Sequence, residues 1–295
     1  MIARPSQGRS PGFTLIEMVI AIAIGAIVVA IAATMIAAPV DSYMTQSRMV
    51  QTVDAADHFR RDLSNDARAA MPNSFRWGDF GNRQVLQMLV TQALVTYVDQ
   101  TDVPNPLPAT GLNFNATDAQ FYVYGGVPAL ALGMYLVVDN SASDAQHDAY
   151  RLAGNVIPSS RVTNVINHGA GVDEIQLAPA FKFSSSSAKR KLYFVAPVTY
   201  VCDNISKTLT RYSYHGLSPA IPANGTAAVL HTGGSHNEIM ATGISNCSVT
   251  CEPGVQPGLC KSGTVVKLEA DVIRGVPPNS ISIHVLELLG TELTP

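Results

Sequence analysis

The sequence lacks the short patterns that mark the commonest enzyme active sites. It contains no Gly-x-x-x-x-Gly-Lys P-loop for nucleotides, no Gly-x-Ser-x-Gly nucleophile elbow and no His-Glu-x-x-His zinc pair. These absences exclude the P-loop nucleotide hydrolases, the α/β-hydrolases and the zinc proteases that those patterns define. We therefore expect no enzyme activity and no cofactor.

An excess of positive charge is also lacking. The chain has 19 Lys and Arg against 22 Asp and Glu, so its formal net charge is -3 and it has no broad electrostatic footprint for nucleic acid. One basic cluster, Lys189-Arg190-Lys191, follows the serine run 184–187. We interpret it as the solvated charge of an exposed hairpin tip, with a small DNA-binding patch as the alternative.

Cysteines are few and confined to the last third of the chain. Cys202, Cys247, Cys251 and Cys260 form an even set, which favours two disulfides in a chain exported to an oxidising compartment. Three pairings are compatible with the sequence. A zinc site is the alternative, because Cys247-x3-Cys251 has tolerable ligand spacing, but no second close pair and no nearby His-x3-His accompanies it.

Charge is missing altogether from a long apolar run near the amino terminus. Residues 18–38 contain no charged side chain, and the run is long enough to cross a bilayer as a helix. Arg4 and Arg9 precede it, so the positive-inside rule keeps the first residues cytoplasmic and places the rest beyond the inner membrane, in the periplasm. Glu17 stands at the start of this run, where an ionisable side chain needs a partner.

The residues just before the run carry a specific pattern. Gly12-Phe13-Thr14-Leu15-Ile16-Glu17, with a short basic leader before it and the apolar helix after it, resembles the class III signal of type IV prepilins and type II secretion pseudopilins. The resemblance implies cleavage between Gly12 and Phe13 by a prepilin peptidase, then N-methylation of the Phe13 amine. It also implies that the Glu17 carboxylate neutralises the amino terminus of a neighbouring subunit, which buries two charges as one pair. An ordinary signal anchor is the alternative.

The helix is expected to continue beyond the membrane run. Pro39 should kink it, because proline removes one backbone hydrogen bond. Beyond Pro39, Asp57, Arg61 and Asp66 are assigned to a solvated face, with Asp57 and Arg61 spaced for an i,i+4 ion pair. Apolar residues at steps of three and four predict a stripe that packs on a sheet. The stripe consists of Met49, Val53, Ala56, Phe59, Leu63, Ala67 and Ala70.

From residue 73 onward the pattern changes to short runs of β-branched and aromatic residues separated by turn residues. We predict a cleaved leader at 1–12, a helix at 13–72 and a mainly antiparallel β domain at 73–295, which is an α+β fold with the helix segregated at the start. A boundary near 158–171 would divide the β domain into two subdomains. The candidate strands are 85–90, 94–98, 120–124, 134–138, 174–177, 191–195, 198–201, 208–212, 238–240, 247–251, 264–272 and 280–286.

Several further segments resemble the MshO family of minor pilins from MSHA-type pilus biogenesis, and they lie in that family's order. The resemblance implies that Cys202 pairs with Cys247, which leaves Cys251 to pair with Cys260. The J-type minor pseudopilins of type II secretion have the same layout and are the near neighbours. The segments are 60–63, 70–74, Tyr200-x-Cys202, 209–212 and 243–247.

Two groups of potential metal ligands stand in loop-like sequence. The first group is Asp139, Ser141, Ser143, Asp144 and Asp148, and the second is His215, His231 and His236. The first group lacks the glycine and the terminal glutamate of a calcium loop, so we interpret it as a polar turn. The histidines of the second group are scattered, and we interpret them as solvated side chains rather than a metal cluster.

The expected function follows from the processing signal and the helix. A minor pilin-like subunit would be anchored in the inner membrane, cleaved after Gly12, and built into a type IV pilus of the MSHA kind by contact with other minor and major pilins. The alternatives are a minor pseudopilin of type II secretion, an adhesive tip module whose long loops bind a surface ligand, and an enzyme on a pilin-type anchor.

Overall fold

The computed structural model describes residue 12 and residues 14–100, 111–141, 147–184, 186–187, 189–252, 258–260, 265–274 and 281–290. Predictions that concern the leader at 1–11 and the residues Phe13, Ser143 and Asp144 lie outside the described residues. The chain divides into two units, Met1–Gln51 and Thr52–Pro295, which are described separately.

The first unit holds the amino-terminal part of helix α1 (Leu15–Arg68), which contains Pro39. Apolar side chains such as Ile20 and Val29 are exposed along this part, so they bury nothing within the unit. Among the described residues, α1 is the one helix that is long and apolar enough to cross a membrane. The predicted membrane run is therefore a continuous helix with an apolar surface on all sides.

The second unit is built on antiparallel sheet, which confirms the predicted α+β class. Its strands are β1 (Arg76–Asp79), β2 (Arg83–Tyr97), β3 (Asp118–Tyr124), β4 (Tyr135–Val137), β5 (Val156–Pro158), β6 (Val162–Gly169), β7 (Val172–Phe181), β8 (Lys191–Asp203), β9 (Thr208–Ser213), β10 (His236–Thr242), β11 (Ile244–Glu252), β12 (Gly258–Leu259), β13 (Val265–Arg274) and β14 (Ile281–Gly290). The larger sheet has the order β10-β9-β8-β2-β3-β7-β6, with β1, β12, β4 and β5 paired off this path. The smaller sheet has the order β11-β13-β14.

The centre of the larger sheet is the ladder between β2 and β8, which runs from Arg83 opposite Asp203 to Thr96 opposite Lys191. The sequence analysis predicted two strands in each of these places, and that prediction is wrong. The first interruption is a β-bulge between residues 91 and 93, which shifts the register without ending the strand. The second is Pro197, which lies inside β8.

Pro197 is tolerated because no ladder hydrogen bond falls at its position. It lies opposite Leu89, whose backbone points away from β8: its N–H donates to Ser74 Oγ (3.2 Å) and its carbonyl accepts from the Met71 N–H (2.7 Å). Leu89 and Pro197 therefore form a non-hydrogen-bonded pair. On the other side of β8, β4 pairs with the residues before Pro197 and β9 with the residues after it. No ladder hydrogen bond on that side therefore requires the N–H that proline lacks.

Residues 52–68 of α1 share one hydrophobic core with the larger and the smaller sheet. Ala56, Phe59 and Leu63 are buried there, and the Phe59 ring meets the Tyr200 ring edge to face with 6.1 Å between centroids. The predicted apolar stripe is confirmed for these three helix residues, whose spacing of three and four places them on one face. It is also confirmed for Ala67 and for Ala70, just beyond the helix end, which are partly buried and pack against the same core.

The predicted stripe is wrong at Val53, which is 40% exposed and does not belong to the shared core. Met49 lies in the first unit, where its side chain is exposed. The predicted ion pair between Asp57 and Arg61 is also replaced: Asp57 Oδ1 lies 3.8 Å from Arg60 Nη2, in an exposed pair that contributes little to stability.

Two disulfides tie the smaller sheet to its surroundings. Cys202 of β8 is bonded to Cys247 of β11, and Cys251 of β11 is bonded to Cys260, which follows β12. All four cysteines are buried. The first is the pair that the family resemblance implied, and the second is the pair that this left over.

Removing the disulfides should have unequal effects on the free energy of unfolding. The Cys202–Cys247 bridge spans 45 residues and the Cys251–Cys260 bridge spans 9. Loop-closure entropy then predicts losses of about 4 and about 2.6 kcal/mol when each pair is replaced by alanines. Urea unfolding measures both, and peptide mapping without reduction should find these two bridges. Free thiols in the exported protein, or bound zinc, would contradict this.

Four strands were missed by the sequence analysis: β1, β5, β6 and β12. The first, second and fourth are too short to show a period. The strand β6 lies at the outer edge of the larger sheet with mostly exposed side chains, including Val165 and Ile166, so it lacks the alternation of a half-buried strand. Edge position rather than composition makes it a strand.

Candidate functional site

The amino-terminal end of α1 is held by a reciprocal contact between Thr14 and Glu17. Glu17 Oε2 accepts from the Thr14 N–H (3.3 Å) and from the Thr14 hydroxyl (3.2 Å), while Thr14 Oγ1 accepts from the Glu17 N–H (3.4 Å). This is a capping box, which satisfies two N–H groups that a helix start leaves unpaired. The Thr-x-x-Glu spacing could have predicted it, but we interpreted Glu17 by its charge only.

The Glu17 carboxylate can still bind a further hydrogen-bond donor or a cation. Thr14 and Glu17 are exposed, and within the described ranges the carboxylate contacts Thr14 but no cation. A second chain could therefore approach this carboxylate without first breaking an ion pair.

This same segment is similar to a known family signal. Residues 8–33 match the prokaryotic N-terminal methylation motif. The motif is the signal of type IV pilins and pseudopilins, and it spans Gly12, Phe13 and Glu17. It supports a type IV pilin-like or pseudopilin subunit, and together with the apolar part of α1 it fits membrane anchoring. No curated protein and no solved structure matches the chain.

A second polar cluster, which we call the Asp66 network, joins α1 to the larger sheet. The Tyr200 hydroxyl donates to Asp66 Oδ2 (2.7 Å), and Arg211 donates from Nε to Oδ2 (2.7 Å) and from Nη2 to Oδ1 (3.0 Å). The Asp66 side chain is 11% exposed and the Arg211 side chain 23%. The assignment of Asp66 to a solvated face is therefore wrong.

The electrostatics of the Asp66 network keep the Tyr200 hydroxyl protonated and the Arg211 guanidinium charged. Burial raises the pKa of the Tyr200 hydroxyl, and the neighbouring Asp66 charge raises it further, so Tyr200 stays protonated and donates. Burial alone would lower the pKa of Arg211, but the hydrogen bonds and charge of Asp66 outweigh burial and raise it. The network therefore acts as a fixed clamp between helix and sheet.

The three histidines do not form a metal cluster in the part of the chain that the structure describes. His231 and His236 are exposed, whereas His215 is completely buried. His215 Nδ1 lies 2.7 Å from the Gly216 carbonyl, to which it donates, and Nε2 accepts from the Thr199 hydroxyl (2.8 Å). Our expectation that His215 is solvated is wrong, because both ring nitrogens are paired inside the domain.

His215 should make the β domain sensitive to acid. Burial, with a smaller contribution from the Arg76 charge, lowers the pKa of His215 from 6.5 to about 4. Between these values the unfolded chain binds the proton more readily, so stability is complete above pH 6.5 and falls as the pH approaches 4. At pH 4.5 the loss is about 2.5 kcal/mol.

Urea unfolding at pH 7 and pH 4.5 tests this, with His215→Gln as the variant that cannot titrate. The loss of stability on acidification should be smaller in the variant by about 2.5 kcal/mol. Equal losses in the two proteins would show that carboxylates alone determine the acid sensitivity.

The described residues of the oxygen-rich group serve in a turn and a cap. Asp148 Oδ1 accepts from the Tyr150 N–H (3.0 Å) and caps the 3-10 helix Ala149–Arg151. Asp139 Oδ2 accepts from the Ser141 hydroxyl (3.4 Å).

The basic cluster lies on an exposed loop, but this loop is not a hairpin tip. Lys189 and Arg190 are exposed, while Lys191 begins β8 and donates to Thr96 Oγ1 (3.3 Å). The loop joins β7 to β8, and these two strands do not pair with each other. It therefore connects two separated parts of the larger sheet.

Proposed function

We propose that this chain is a minor pilin-like subunit that helps to initiate, cap or assemble a type IV pilus of the MSHA kind. The observation that carries the proposal is the match of residues 8–33 to the N-terminal methylation motif. The prepilin peptidase would cleave between Gly12 and Phe13, and the new Phe13 amine would be methylated. The chain would act by packing, with no catalytic role and no cofactor.

Assembly would take place through the exposed apolar part of α1. Lipid is as apolar as these side chains, so helix association in the membrane depends on close packing and on polar pairs rather than on the hydrophobic effect. Glu17 supplies the polar group. Small residues that allow close approach of neighbouring helices are Ala21, Ala23, Gly25, Ala26, Ala30, Ala32 and Ala33.

The orientation proposed for the anchored chain follows the charge asymmetry around the apolar run. Arg4 and Arg9 would remain in the cytoplasm, and the β domain would lie in the periplasm before it enters the filament at the cell surface. The two disulfides support this placement, because the periplasm is an oxidising compartment.

A minor pseudopilin of type II secretion is the second candidate, since the same motif serves both systems. The Cys202–Cys247 bridge favours the MSHA-like assignment, because that family resemblance implied this pair.

Deletion of the gene, with the wild-type gene restored as the control, separates the candidates. Loss of surface pili with normal protein secretion would support the proposal. Loss of secretion with normal pili would support the pseudopilin. Normal pilus number with loss of surface binding would support an adhesive tip module, and normal pili, secretion and binding would contradict all three.

A further inference from the structure

The loop between β9 and β10 contains the one Asn-Gly dipeptide of the sequence, Asn224-Gly225. The Ala227 N–H donates to the Asn224 carbonyl (3.2 Å), so residues 224–227 form a β-turn. The Asn224 side chain belongs to the same turn, because its Oδ1 accepts from the Thr226 N–H (3.0 Å) and from the Thr226 hydroxyl (2.7 Å). Two donors therefore hold the side-chain carbonyl of Asn224 in place.

Packing around this turn requires glycine after Asn224. A side chain at position 225 would clash with the Tyr212 hydroxyl, which stands directly beside Gly225. Tyr212 is buried, and its ring meets the His231 ring edge to face with 5.7 Å between centroids. His231 Nε2 in turn lies 2.6 Å from the Gly225 carbonyl oxygen, to which it donates. Asn224 thus precedes the residue that hinders attack on its side chain least.

The geometry of the turn suits an internal reaction of the Asn224 side chain. The backbone nitrogen of Gly225 can close a five-membered ring with Asn224 Cγ, and negative charge develops on Oδ1 as that bond forms. The Thr226 N–H and hydroxyl already donate to this oxygen, as the donors of an oxyanion hole do. Among the described residues no backbone carbonyl accepts from the Gly225 N–H, so the attacking nitrogen is not held elsewhere.

We propose that Asn224 is a deamidation site, at which the side-chain amide becomes a carboxylate in the folded protein. The Gly225 nitrogen loses its proton to a solvent base and bonds to Asn224 Cγ, while the C–N bond of the side-chain amide breaks and ammonia leaves. Water then opens the cyclic imide at either carbonyl and yields aspartate or isoaspartate. Asn224 and Gly225 are partly exposed, so water and base reach the site. This reaction does not depend on the helix-mediated assembly proposed above.

The modification changes the charge and the backbone of the turn. It adds one negative charge at a position that lines the same cavity as the ion pair between Arg83 and Asp203. Aspartate still accepts both hydrogen bonds from Thr226 and keeps the turn. Isoaspartate adds one carbon atom to the main chain and shifts Gly225 relative to Tyr212. Each folded chain should therefore become more acidic with time.

Peptide mapping of the full-length protein after incubation at neutral pH in water enriched in oxygen-18 tests the proposal. The peptide that contains Asn224 should gain one oxygen-18 atom, at a rate no lower than in the same protein unfolded in urea. Asn73 is the internal control in the folded protein. It also precedes a small residue, but the Ser74 N–H donates to the Met71 carbonyl (3.2 Å), so Asn73 should keep its amide.

Variants of the turn separate the contributions of Thr226 and Gly225. Thr226→Val removes the hydroxyl donor at nearly constant shape and should slow the reaction about three- to tenfold, whereas Thr226→Ser keeps the donor and should react like the wild type. Gly225→Ala combined with Tyr212→Phe, which makes room for the methyl group, should slow the reaction at least about tenfold. The proposal is overturned if Asn224 keeps its amide, if unfolding accelerates the reaction, or if folded Thr226→Val reacts as fast as the wild type.

Discussion

Replacing Glu17 by alanine is expected to leave membrane insertion intact and to remove most crosslinking to partner pilins. Within the described residues of the isolated chain the Glu17 carboxylate bonds only Thr14, so the variant loses a helix cap before assembly. In the filament the proposed pair with a neighbour's Phe13 amine would be buried. Truncating one partner of a buried pair costs about 3–5 kcal/mol, which corresponds to more than a hundredfold loss of association.

The capping box allows the charge of Glu17 to be separated from its hydrogen bonds. Glu17→Gln keeps a side chain that can complete a capping box but removes the negative charge, whereas Thr14→Ala weakens the box and keeps the charge. The charge-pair account predicts that Glu17→Gln crosslinks as poorly as Glu17→Ala and that Thr14→Ala stays close to wild type. The opposite ranking would show that Glu17 acts through helix capping alone.

Replacing Asp66 by alanine is expected to lower the free energy of unfolding by about 3–5 kcal/mol, because it leaves the mostly buried guanidinium of Arg211 without its carboxylate. The Tyr200 hydroxyl loses its acceptor as well. Urea unfolding of a soluble fragment beginning at Asp41, which we expect to be folded and largely monomeric because it lacks the membrane run, measures the loss. The matched control is Asp57→Asn, an exposed carboxylate on the same helix, which should change stability by less than about 0.5 kcal/mol.

A second variant separates the ion pair from helix packing in general. Asp66→Leu combined with Arg211→Met removes both charges and should recover part of the lost stability, because an apolar pair leaves no buried charge unpaired. A loss below about 1 kcal/mol for Asp66→Ala, or no recovery in the double variant, would contradict the clamp role of the Asp66 network.

The amino-terminal features were predictable because they are local in sequence. The processing pattern, the apolar run and the start of α1 depend on residues within one or a few turns of each other, and the family match falls on the same segment. The existence of most strands was predictable for a similar reason, since alternation is visible within six or seven residues.

The Asp66 network was not predictable from helix periodicity, because its members are far apart in sequence. Asp66 lies 134 residues from Tyr200 and 145 from Arg211. A weaker signal was present in β9. Arg211 follows the buried Leu209 by two residues, so both side chains point to the same face of the strand. An inward-pointing arginine requires buried hydrogen-bond acceptors, and the carboxylate of Asp66, at the edge of the helix stripe, provides them.

The continuity of β2 and β8 could not be predicted from the sequence for a different reason. Considered alone, each strand pattern is interrupted, at residues 91–93 in β2 and at Pro197 in β8. In the sheet, residues 91–93 form a β-bulge that shifts the register without ending β2. Pro197 lies where β8 changes its neighbouring strand from β4 to β9, so the missing N–H breaks no ladder hydrogen bond. That information resides in the pairing of β2 with β8, which a single-strand pattern does not contain.

Processing of the amino terminus is the most direct test of the central claim that this chain is a pilin-like subunit. Gly12 leaves the peptidase an unhindered backbone at the predicted cleavage site. Mass spectrometry of the chain recovered from sheared filaments should find an amino-terminal peptide that begins at Phe13 and carries one N-methyl group. A chain that begins at Met1 in a host with an active prepilin peptidase, or that begins after Ala38, would contradict the account.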